Sequence, residues 1–361
     1  MKKPLKMMMC AALFLLVLLG AYVSYVLIAY YRIEDNQVLT VTCSGSAQSD
    51  SLLQEQPYRI VSANIGFGAY SDDYSFFMDG GQESRARSEK DVINNVTGSA
   101  AAVLDAQPDF ILFQEVDTNG TRSHHIDESQ ILKEEAQRAF PDFLCSTFAQ
   151  NYDSPYLFYP FSAPHGANRS GIMTFSRYAV ASALRRSLPV EQGLMKLVDL
   201  DRCYSVNRIP LAHGDAELVL SNLHLSAYTS DGTIATSQLE MICSDMLAEY
   251  EKGNYCLAGG DFNKDLLGNS PEIFGIAAQE GDTWAQPIPE GVIPEGLTLV
   301  APGGAASCRT ASEPYQEQTT FRLTVDGFLI SENIALIRAE VIDTAYRYSD
   351  HNPVLMDFLL K

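Results

Sequence analysis

The stretch from Tyr255 to Asn263 places the strongest constraint on how this 361-residue chain can fold. Its apolar start, Tyr255 to Ala258, predicts a buried strand, and the pair Gly259-Gly260 ends that strand abruptly. Asp261 and Asn263 follow one residue apart, where strand alternation directs both side chains to the same side. Such a carboxylate and amide could together hold and orient a water, or Asp261 could simply cap the next segment as an Asx turn.

The N-terminal segment is the second constraint. Met7 to Tyr31 is a run of 25 residues without a charged side chain. As a helix it would be roughly 37 Å long, enough to cross a hydrocarbon layer of about 30 Å. Lysines at positions 2, 3 and 6 precede the run, and by the positive-inside rule they favour a cytoplasmic N-terminus. A cleaved signal peptide is the alternative, but the tyrosines that end the run suit a membrane interface better than a cleavage site.

These features predict a single-pass protein of the cell membrane. We expect residues 1–32 to form a short cytoplasmic segment and a transmembrane anchor, and residues 33–56 to form a polar linker. Residues 57–361 are enough for one large domain with its own core. The orientation of the anchor predicts that this domain is extracytoplasmic.

The charge of the chain disfavours polyanionic partners. The net charge is −20, from 25 basic and 45 acidic residues, and the first 56 residues hold four of each sign. The domain therefore carries 25 − 4 = 21 basic and 45 − 4 = 41 acidic side chains. Such a surface repels nucleic acid, whose nonspecific binding relies on Lys and Arg neutralising phosphates. A local basic pocket would be needed for a nucleic-acid substrate.

The seven cysteines exclude little. None forms a C-x-x-C pair, which disfavours a structural zinc site. The six cysteines beyond the anchor permit disulfides without demanding them. Cys256 lies in the apolar strand before Gly259 and is interpreted as a small buried hydrophobic residue.

Clusters of strands separated by helices predict the fold class. The spacing of apolar residues predicts helices over 85–106, 129–140 and 233–250 and strands that include 58–65, 109–116, 218–225, 320–330, 334–342 and 352–360. Residues 265–318, which are rich in glycine and proline, give no clear pattern. Several strands are joined tightly enough to be antiparallel. The sequence therefore favours an α/β fold with two packed, mainly antiparallel sheets flanked by helices over a doubly wound parallel sheet.

Eight polar residues lie within or just after these apolar strands: Asn64, Glu115, His224, Asp261, Asn263, Asp326, Asp350 and His351. Each alone has an ordinary structural interpretation, such as a turn aspartate or a hydrogen-bonded core histidine. Buried ionised groups are costly without a partner or a metal, so eight of them at strand ends favour one shared pocket. Their carboxylate and amide oxygens suit Mg²⁺ or Mn²⁺, and phosphate-ester hydrolysis requires such a metal, an oriented water and help for the leaving group.

The motifs in which these residues lie resemble the endonuclease/exonuclease/phosphatase superfamily, in its order and over the whole domain from Tyr58 to Lys361. They are Asn64, Gln114-Glu115, Asn222-Leu223-His224-Leu225, Gly260-Asp261-Phe262-Asn263, Asp326 and Ser349-Asp350-His351-Asn352-Pro353-Val354. Gly-Asp-Phe-Asn together with a terminal Ser-Asp-His-x-Pro-Val is a specific combination. The resemblance implies a four-layer α/β sandwich with the site at one edge of its two sheets.

The resemblance also implies roles for single residues. It makes Glu115 the principal metal ligand, supported by Asn64 and Asp350. It makes Asp261 the group that orients or deprotonates the attacking water. It implies that Asn263 holds the phosphate or the water, and that His351 contacts the scissile phosphate. Asp326 would fix the tautomer and charge of His351, and His224 would donate a hydrogen bond to a phosphate oxygen.

Two features depart from the family pattern. Arg169-Ser170-Gly171 stands where relatives often carry Tyr or Lys before the glycine. Arg169 could clamp a phosphate, or it could be an ordinary surface arginine. The loops 67–81 and 152–168 are rich in aromatic residues and match no known substrate-specifying loop, so they indicate either an apolar substrate group or a lid packed on itself.

Three functions fit the sequence. The first is a membrane-anchored, metal-dependent phosphoesterase that acts on a phospholipid headgroup or a small phosphodiester. The second is an extracellular metal-dependent nuclease, which the charge of −20 and the lack of a Lys/Arg-rich run disfavour. The third is a non-catalytic binding module that keeps the fold, which would be expected to have lost at least one of the eight residues.

Overall fold

The computed structural model describes residues 3–29, 31–45, 51–190, 201–227, 233–277 and 284–361. The helices are α1 Lys3–Ala29, α2 Glu89–Leu104, α3 Glu128–Ala139, α4 Thr233–Tyr250 and α5 Ser270–Phe274. The first nine strands are β1 Gln37–Val38, β2 Thr42–Ser44, β3 Pro57–Asn64, β4 Phe110–Gly120, β5 Leu144–Asp153, β6 Asn168–Ser176, β7 Ser182–Ser187, β8 Cys203–Pro210 and β9 Glu217–His224. The others are β10 Tyr255–Asp261, β11 Leu297–Val300, β12 Cys308–Arg309, β13 Arg322–Leu323, β14 Asp326–Ser331, β15 Ile334–Val341 and β16 Val354–Leu360.

Two seven-stranded sheets form the centre of the domain. The first has the strand order β1-β7-β8-β9-β10-β14-β11, and the second has the order β15-β16-β3-β4-β6-β5-β2. Each contains one parallel pair, β9 with β10 and β3 with β4, and its other pairs are antiparallel. The expected pair of mainly antiparallel sheets is therefore confirmed.

Three apolar clusters separate the layers. One lies between the two sheets and includes Leu112, Leu220 and Phe328. A second joins the outer face of the second sheet to α2 through residues such as Val96. A third joins the outer face of the first sheet to α4 through residues such as Ile242. Since helices cover both outer faces, the architecture has four layers, as the family resemblance implies.

Helix α1 lies outside these layers. It has 27 residues, and its most apolar 18-residue window has a mean hydropathy of 2.5 and is 6% buried. Within the part of the chain that the structure describes, it is the one helix long and apolar enough to cross a membrane. An exposed helix of this composition fits the predicted anchor, because its apolar surface is left for another apolar phase.

The predicted linker 33–56 is in part folded, which corrects the sequence-based interpretation. Strand β1 pairs with β7 at the edge of the first sheet, and β2 pairs with β5 at the edge of the second. A disulfide joins Cys43 to Cys145 across this second pair, and Leu39 and Leu52 are buried. Edge strands of two or three residues are too short to show alternation, so no periodic pattern could predict them.

The C-terminal part also differs in detail from the expectation. The predicted strand over 320–330 is two strands, β13 and β14, and the segment without a clear pattern contributes α5, β11 and β12. Backbone groups in this region are satisfied by side chains: Asp265 accepts hydrogen bonds from the N–H groups of Leu267, Gly268 and Ser270. Such local capping has no period, which is why pattern analysis could not place it.

Candidate active site

Three neighbouring strands of the first sheet place polar groups side by side. The pairing of β9, β10 and β14 sets His224 opposite Asp261, and Asp261 opposite Asp326. Residues that are direct neighbours across a sheet point to the same face. The register alone therefore assembles a row of three predicted site residues that lie far apart in the sequence.

Gly260 is required for this row. Its φ is +144°, and a Cβ at this position would lie 2.0 Å from the carbonyl oxygen of Leu223 on the neighbouring strand. No side chain fits there, so the glycine allows β9 and β10 to approach closely just before Asp261.

The second sheet contributes Asn64 and Glu115. Parallel pairing of β3 and β4 sets Asn64 opposite Gln114, the residue before Glu115. Glu115 lies in a β-bulge between Phe113 and Val116, with a positive φ of 55°. A bulge redirects a side chain out of the regular alternation. The bulge therefore brings Glu115 beside Asn64 and His224, in a conformation that a non-glycine residue seldom adopts.

Hydrogen bonds connect the site residues of the two sheets. The amide Nδ2 of Asn64 donates to Glu115 Oε1 at 3.2 Å and to Asp261 Oδ2 at 3.1 Å. His224 Nε2 lies 3.4 Å from Asp261 Oδ2 and 3.9 Å from Glu115 Oε1. Deeper between the sheets, Gln114 Nε2 donates to Asn222 Oδ1 at 2.8 Å. The sheets are thus held in a fixed relation directly beneath the site.

The segment before β16 completes the cluster. Ser349 Oγ donates to the carbonyl of Asn64 at 2.8 Å, which fixes the segment against β3. His351 Nδ1 lies 2.7 Å from Asp326 Oδ2, and the side chain of His351 is 7% exposed. Asn263, also with a positive φ, donates from Nδ2 to the carbonyl of Leu225 at 2.8 Å. All eight polar residues predicted from the strand ends therefore lie in one region of the fold.

The two histidines have opposite electrostatic environments. Burial lowers the pKa of His224 well below its usual value, with further lowering by the nearby charges of Arg202 and His351. Burial would also lower the pKa of His351, but the charge of Asp326, with help from Cys308, raises that pKa well above its usual value. These shifts favour the neutral form of His224 and the protonated form of His351, whose ring is hydrogen-bonded to a carboxylate.

The carboxyl groups of the site lie close enough to raise one another's pKa values. Burial, together with the charge of Asp326, raises the pKa of Asp261 despite the opposing charge of His351. Burial raises the pKa of Asp350 to about 6, and the neighbouring charge of Glu115 adds to this effect. Glu115 itself keeps 25% of its side chain exposed. This excess of negative charge is the environment that a divalent cation would stabilise.

Sequence reasoning missed several residues of the site. Ser307 Oγ donates to Asp326 Oδ2 at 2.8 Å, and Cys308 Sγ lies 3.5 Å from His351 Nε2. Both lie in the segment without a clear pattern, so no signal could have found them. Tyr70 is buried against Gly66, where a Cβ would lie 2.7 Å from the Tyr70 ring and 3.2 Å from Asp350 Oδ1. The aromatic content of the loop 67–81 was the one available indication.

Arg169 is not brought into the cluster. Its guanidinium pairs with Asp153 at 3.2 Å, and its side chain is 60% exposed. Strand β6 pairs Arg169 with Asn119 and Asp153, several residues beyond the bulge that carries Glu115. The structure therefore favours the surface-arginine interpretation over the phosphate clamp.

Comparison with known proteins agrees with this geometry. The profile of the Endonuclease/Exonuclease/phosphatase family matches residues 61–351, and the chain belongs to this family. Members are phosphoester hydrolases, so the domain is an enzyme of that broad class. A search of curated proteins found no match.

Solved structures share the fold. An endonuclease/exonuclease/phosphatase from Beutenbergia cavernae is 18% identical, with a TM-score of 0.60 over 85% of this chain and 72% of that one. The human Nocturnin catalytic domain with bound sulfate is 17% identical, with a TM-score of 0.50 over 86% and 97% of the two chains. A humanized D. rerio TDP2 is 13% identical, with a TM-score of 0.50 over 84% and 98%. At these identities the likeness concerns the fold.

Proposed function

We propose that the domain hydrolyses a phosphate ester by in-line attack of an activated water, with Mg²⁺ or Mn²⁺ as cofactor. The observation that supports this most is the meeting of Asn64, Glu115 and Asp261 from two different sheets, with 3.1 to 3.2 Å hydrogen bonds between them. The preferred substrate is a phospholipid headgroup or a small phosphodiester, because the net charge of −20 disfavours nucleic acid.

The residues that would hold the metal are Glu115, Asn64 and Asp350. One alternative group exists among the described residues: Asp261, Asp326 and His351 each offer a ligand atom within 4.8 Å of the others. In that group His351 Nδ1 and Asp326 Oδ2 are already hydrogen-bonded to each other. Binding a metal there would displace the proton that Asp326 and His351 share. The preferred metal site is therefore the one formed by Glu115, Asn64 and Asp350. A bound divalent ion would supply charge neutralisation at the phosphate.

The protein's own residues would perform the rest of the reaction. Asp261 would accept a proton from water, a role that its raised pKa supports. His351 would stabilise negative charge on the phosphate, and His224 would donate its ring N–H to a phosphate oxygen. Asn263 would hold the water or the phosphate beside Asp261.

Replacing Glu115 by Gln is expected to weaken Mn²⁺ binding by more than about 100-fold, the upper range for residues that only support a ligand. Calorimetric Mn²⁺ titration of the full chain measures this directly. The matched control is Glu128→Gln, because Glu128 is also a carboxyl on the same side of the fold but is fully buried, and its Oε2 accepts a hydrogen bond from the N–H of Asp117. Equal affinities in the two variants, or turnover unaffected by EDTA, would contradict the metal assignment.

The substrate class is tested by a turnover screen of the full chain with Mg²⁺ against phospholipid vesicles, small phosphodiesters, nucleotides and plasmid DNA. We expect hydrolysis of a lipid headgroup or a small diester. Efficient cleavage of DNA would replace the proposed substrate with the nuclease alternative. No turnover on any ester, with metal bound, would favour a binding module.

We also infer that the domain lies outside the cytoplasm, because the Cys43–Cys145 disulfide persists only in an oxidising compartment. Maleimide labelling of the denatured chain from cells should modify the five free cysteines, Cys10, Cys203, Cys243, Cys256 and Cys308, and all seven only after reduction. A reporter fused after Lys361 should give signal on the outer side. Seven labelled cysteines without reductant, or a cytoplasmic reporter signal, would reverse the topology.

A further inference from the structure

The loop between β5 and β6, residues 154–167, exposes large aromatic side chains to solvent. Tyr159 is 65% exposed and Phe161 is 84% exposed, while Phe158 is half-exposed. The loop contains no Asp, Glu, Lys or Arg. Burial lowers the pKa of its one histidine, His165, to about 4, so the whole loop is uncharged at neutral pH. Exposed aromatic patches of this kind mark an interaction surface.

This aromatic loop contacts the apolar helix α1. Tyr22 OH donates to the carbonyl of Tyr156 at 3.2 Å, and the N–H of Tyr156 donates to Tyr25 OH at 3.0 Å. The rings of Tyr22 and Phe158 lie 5.1 Å apart, edge to face. Tyr22 precedes the end of α1 at Ala29 by seven residues, roughly 10 Å along a helix. The loop therefore lies beside the part of α1 that approaches the outer interface of a membrane.

The backbone of the loop is adapted to an apolar environment. Leu157 and Gly166 exchange two hydrogen bonds of 3.0 Å across the loop, and the tyrosines of α1 satisfy both polar groups of Tyr156. Prolines at positions 155, 160 and 164 have no N–H to satisfy. Irregular segments are excluded from lipid because their backbone N–H and C=O groups lack hydrogen-bond partners. In this loop, hydrogen bonds and prolines leave fewer such groups without a partner.

A series of ring contacts connects the loop to the candidate active site. The Tyr159 ring lies 5.8 Å from Phe77, which lies 4.9 Å from Phe76. Phe76 in turn lies 5.3 Å from Tyr70, the tyrosine buried beside Asp350. Met78, which follows Phe77 in the loop 67–81, is 58% exposed.

We propose that Phe158, Tyr159, Phe161 and Met78 form a membrane-inserted surface that lies in the outer leaflet of the bilayer crossed by α1. The occupant of this surface is the apolar edge of the lipid layer, since α1 and the loop share one continuous contact. Attraction to anionic lipid is not the driving force, because the domain is strongly acidic. Insertion of this surface would hold the candidate active site next to the lipid headgroups. The proposal requires the membrane topology given above but not the catalytic activity.

The test measures tryptophan quenching in the full chain, reconstituted into phosphatidylcholine vesicles with and without brominated acyl chains. A Trp284→Phe background removes the single native tryptophan. Phe161→Trp reports on the loop, with Tyr159→Trp as a second reporter. Ile337→Trp is the matched control, because Ile337 is 51% exposed on β15, at the opposite edge of the second sheet from β5 and β2. Leu16→Trp reports on α1 itself.

We expect brominated lipid to quench both loop reporters and Leu16→Trp, and to leave the emission of Ile337→Trp unchanged. Loop reporters that are quenched no more than Ile337→Trp, while Leu16→Trp is quenched, would overturn the insertion of the loop alone. An unquenched Leu16→Trp would overturn the anchor and the loop together. A blue-shifted loop reporter without quenching would show that a second copy of the chain covers this surface. Turnover enters none of these readouts, so failure here is distinct from failure of the proposed reaction.

Discussion

Replacing Asp261 by Asn is expected to lower turnover by roughly 10³-fold, the scale of a lost general base. The change conserves volume, and an asparagine oxygen can still accept the 2.9 Å hydrogen bond from the N–H of Asn263. Packing at the strand end should therefore survive. Two things are lost: the hydrogen bond that Oδ2 accepts from Asn64, and the ability to take a proton from water at a position where burial has already raised the pKa of the carboxyl.

The matched control for this prediction is Asp265→Asn. Asp265 is also a buried carboxylate and lies four residues further along the chain, but its oxygens accept from the N–H groups and the hydroxyl of residues 267–270. Its substitution should lower the free energy of unfolding by about 1–3 kcal/mol while the turnover of folded protein stays near that of wild type. If both variants lose turnover equally, Asp261 acts through the fold rather than as a base.

Disrupting the Asp326–His351 pair is expected to lower turnover by about 10²-fold or more, with strongly non-additive losses. His351 Nδ1 lies 2.7 Å from Asp326 Oδ2, and Ser307 holds the same oxygen at 2.8 Å. A charge-assisted bond of this length favours the imidazolium, which would stabilise charge on the phosphate. Because the two residues act as one unit, the double variant should lose little more than either single variant.

Turnover of Asp326→Asn, His351→Ala and the double variant measures the coupling. A separate readout is the pKa of His351 by NMR, which should fall in Asp326→Asn because the charge that raises it is gone. Ser307→Ala removes a neighbour of the same carboxylate without removing charge, and it should change both quantities less. Losses that simply multiply, with an unchanged pKa of His351, would show that the two residues act independently.

Residues of the site could be found from the sequence because each interrupts or ends an apolar run. Asn64, Asp261 and Asp326 are visible in this way, and strand pairing then brings two of them into direct register. Which strands pair with one another cannot be predicted from any local sequence pattern. The bulge that redirects Glu115 could not be predicted either, because it depends on the pairing of β4 with β6, a strand distant in sequence.

The errors have the same physical origin. The edge strands β1 and β2 gain their order from partners more than 100 residues away, since Gln37 pairs with Arg185 and Cys43 with Cys145. Arg169 stands where relatives often carry Tyr or Lys, and the antiparallel pairing of β6 with β5 aligns it with Asp153, away from the site residues. The metal, the substrate and the roles of single residues stay predictions, because a fold shared at below 20% identity does not determine them.

The short connection between helix and sheet has a consequence for how the protein finds its target. Only seven residues, 30–36, separate the end of α1 at Ala29 from β1 at Gln37, and even fully extended they reach about 25 Å. With α1 in the bilayer as proposed, the domain cannot leave the surface to search the surrounding volume. Encounters would then be two-dimensional, and their frequency would follow the mole fraction of substrate in the leaflet rather than its bulk concentration.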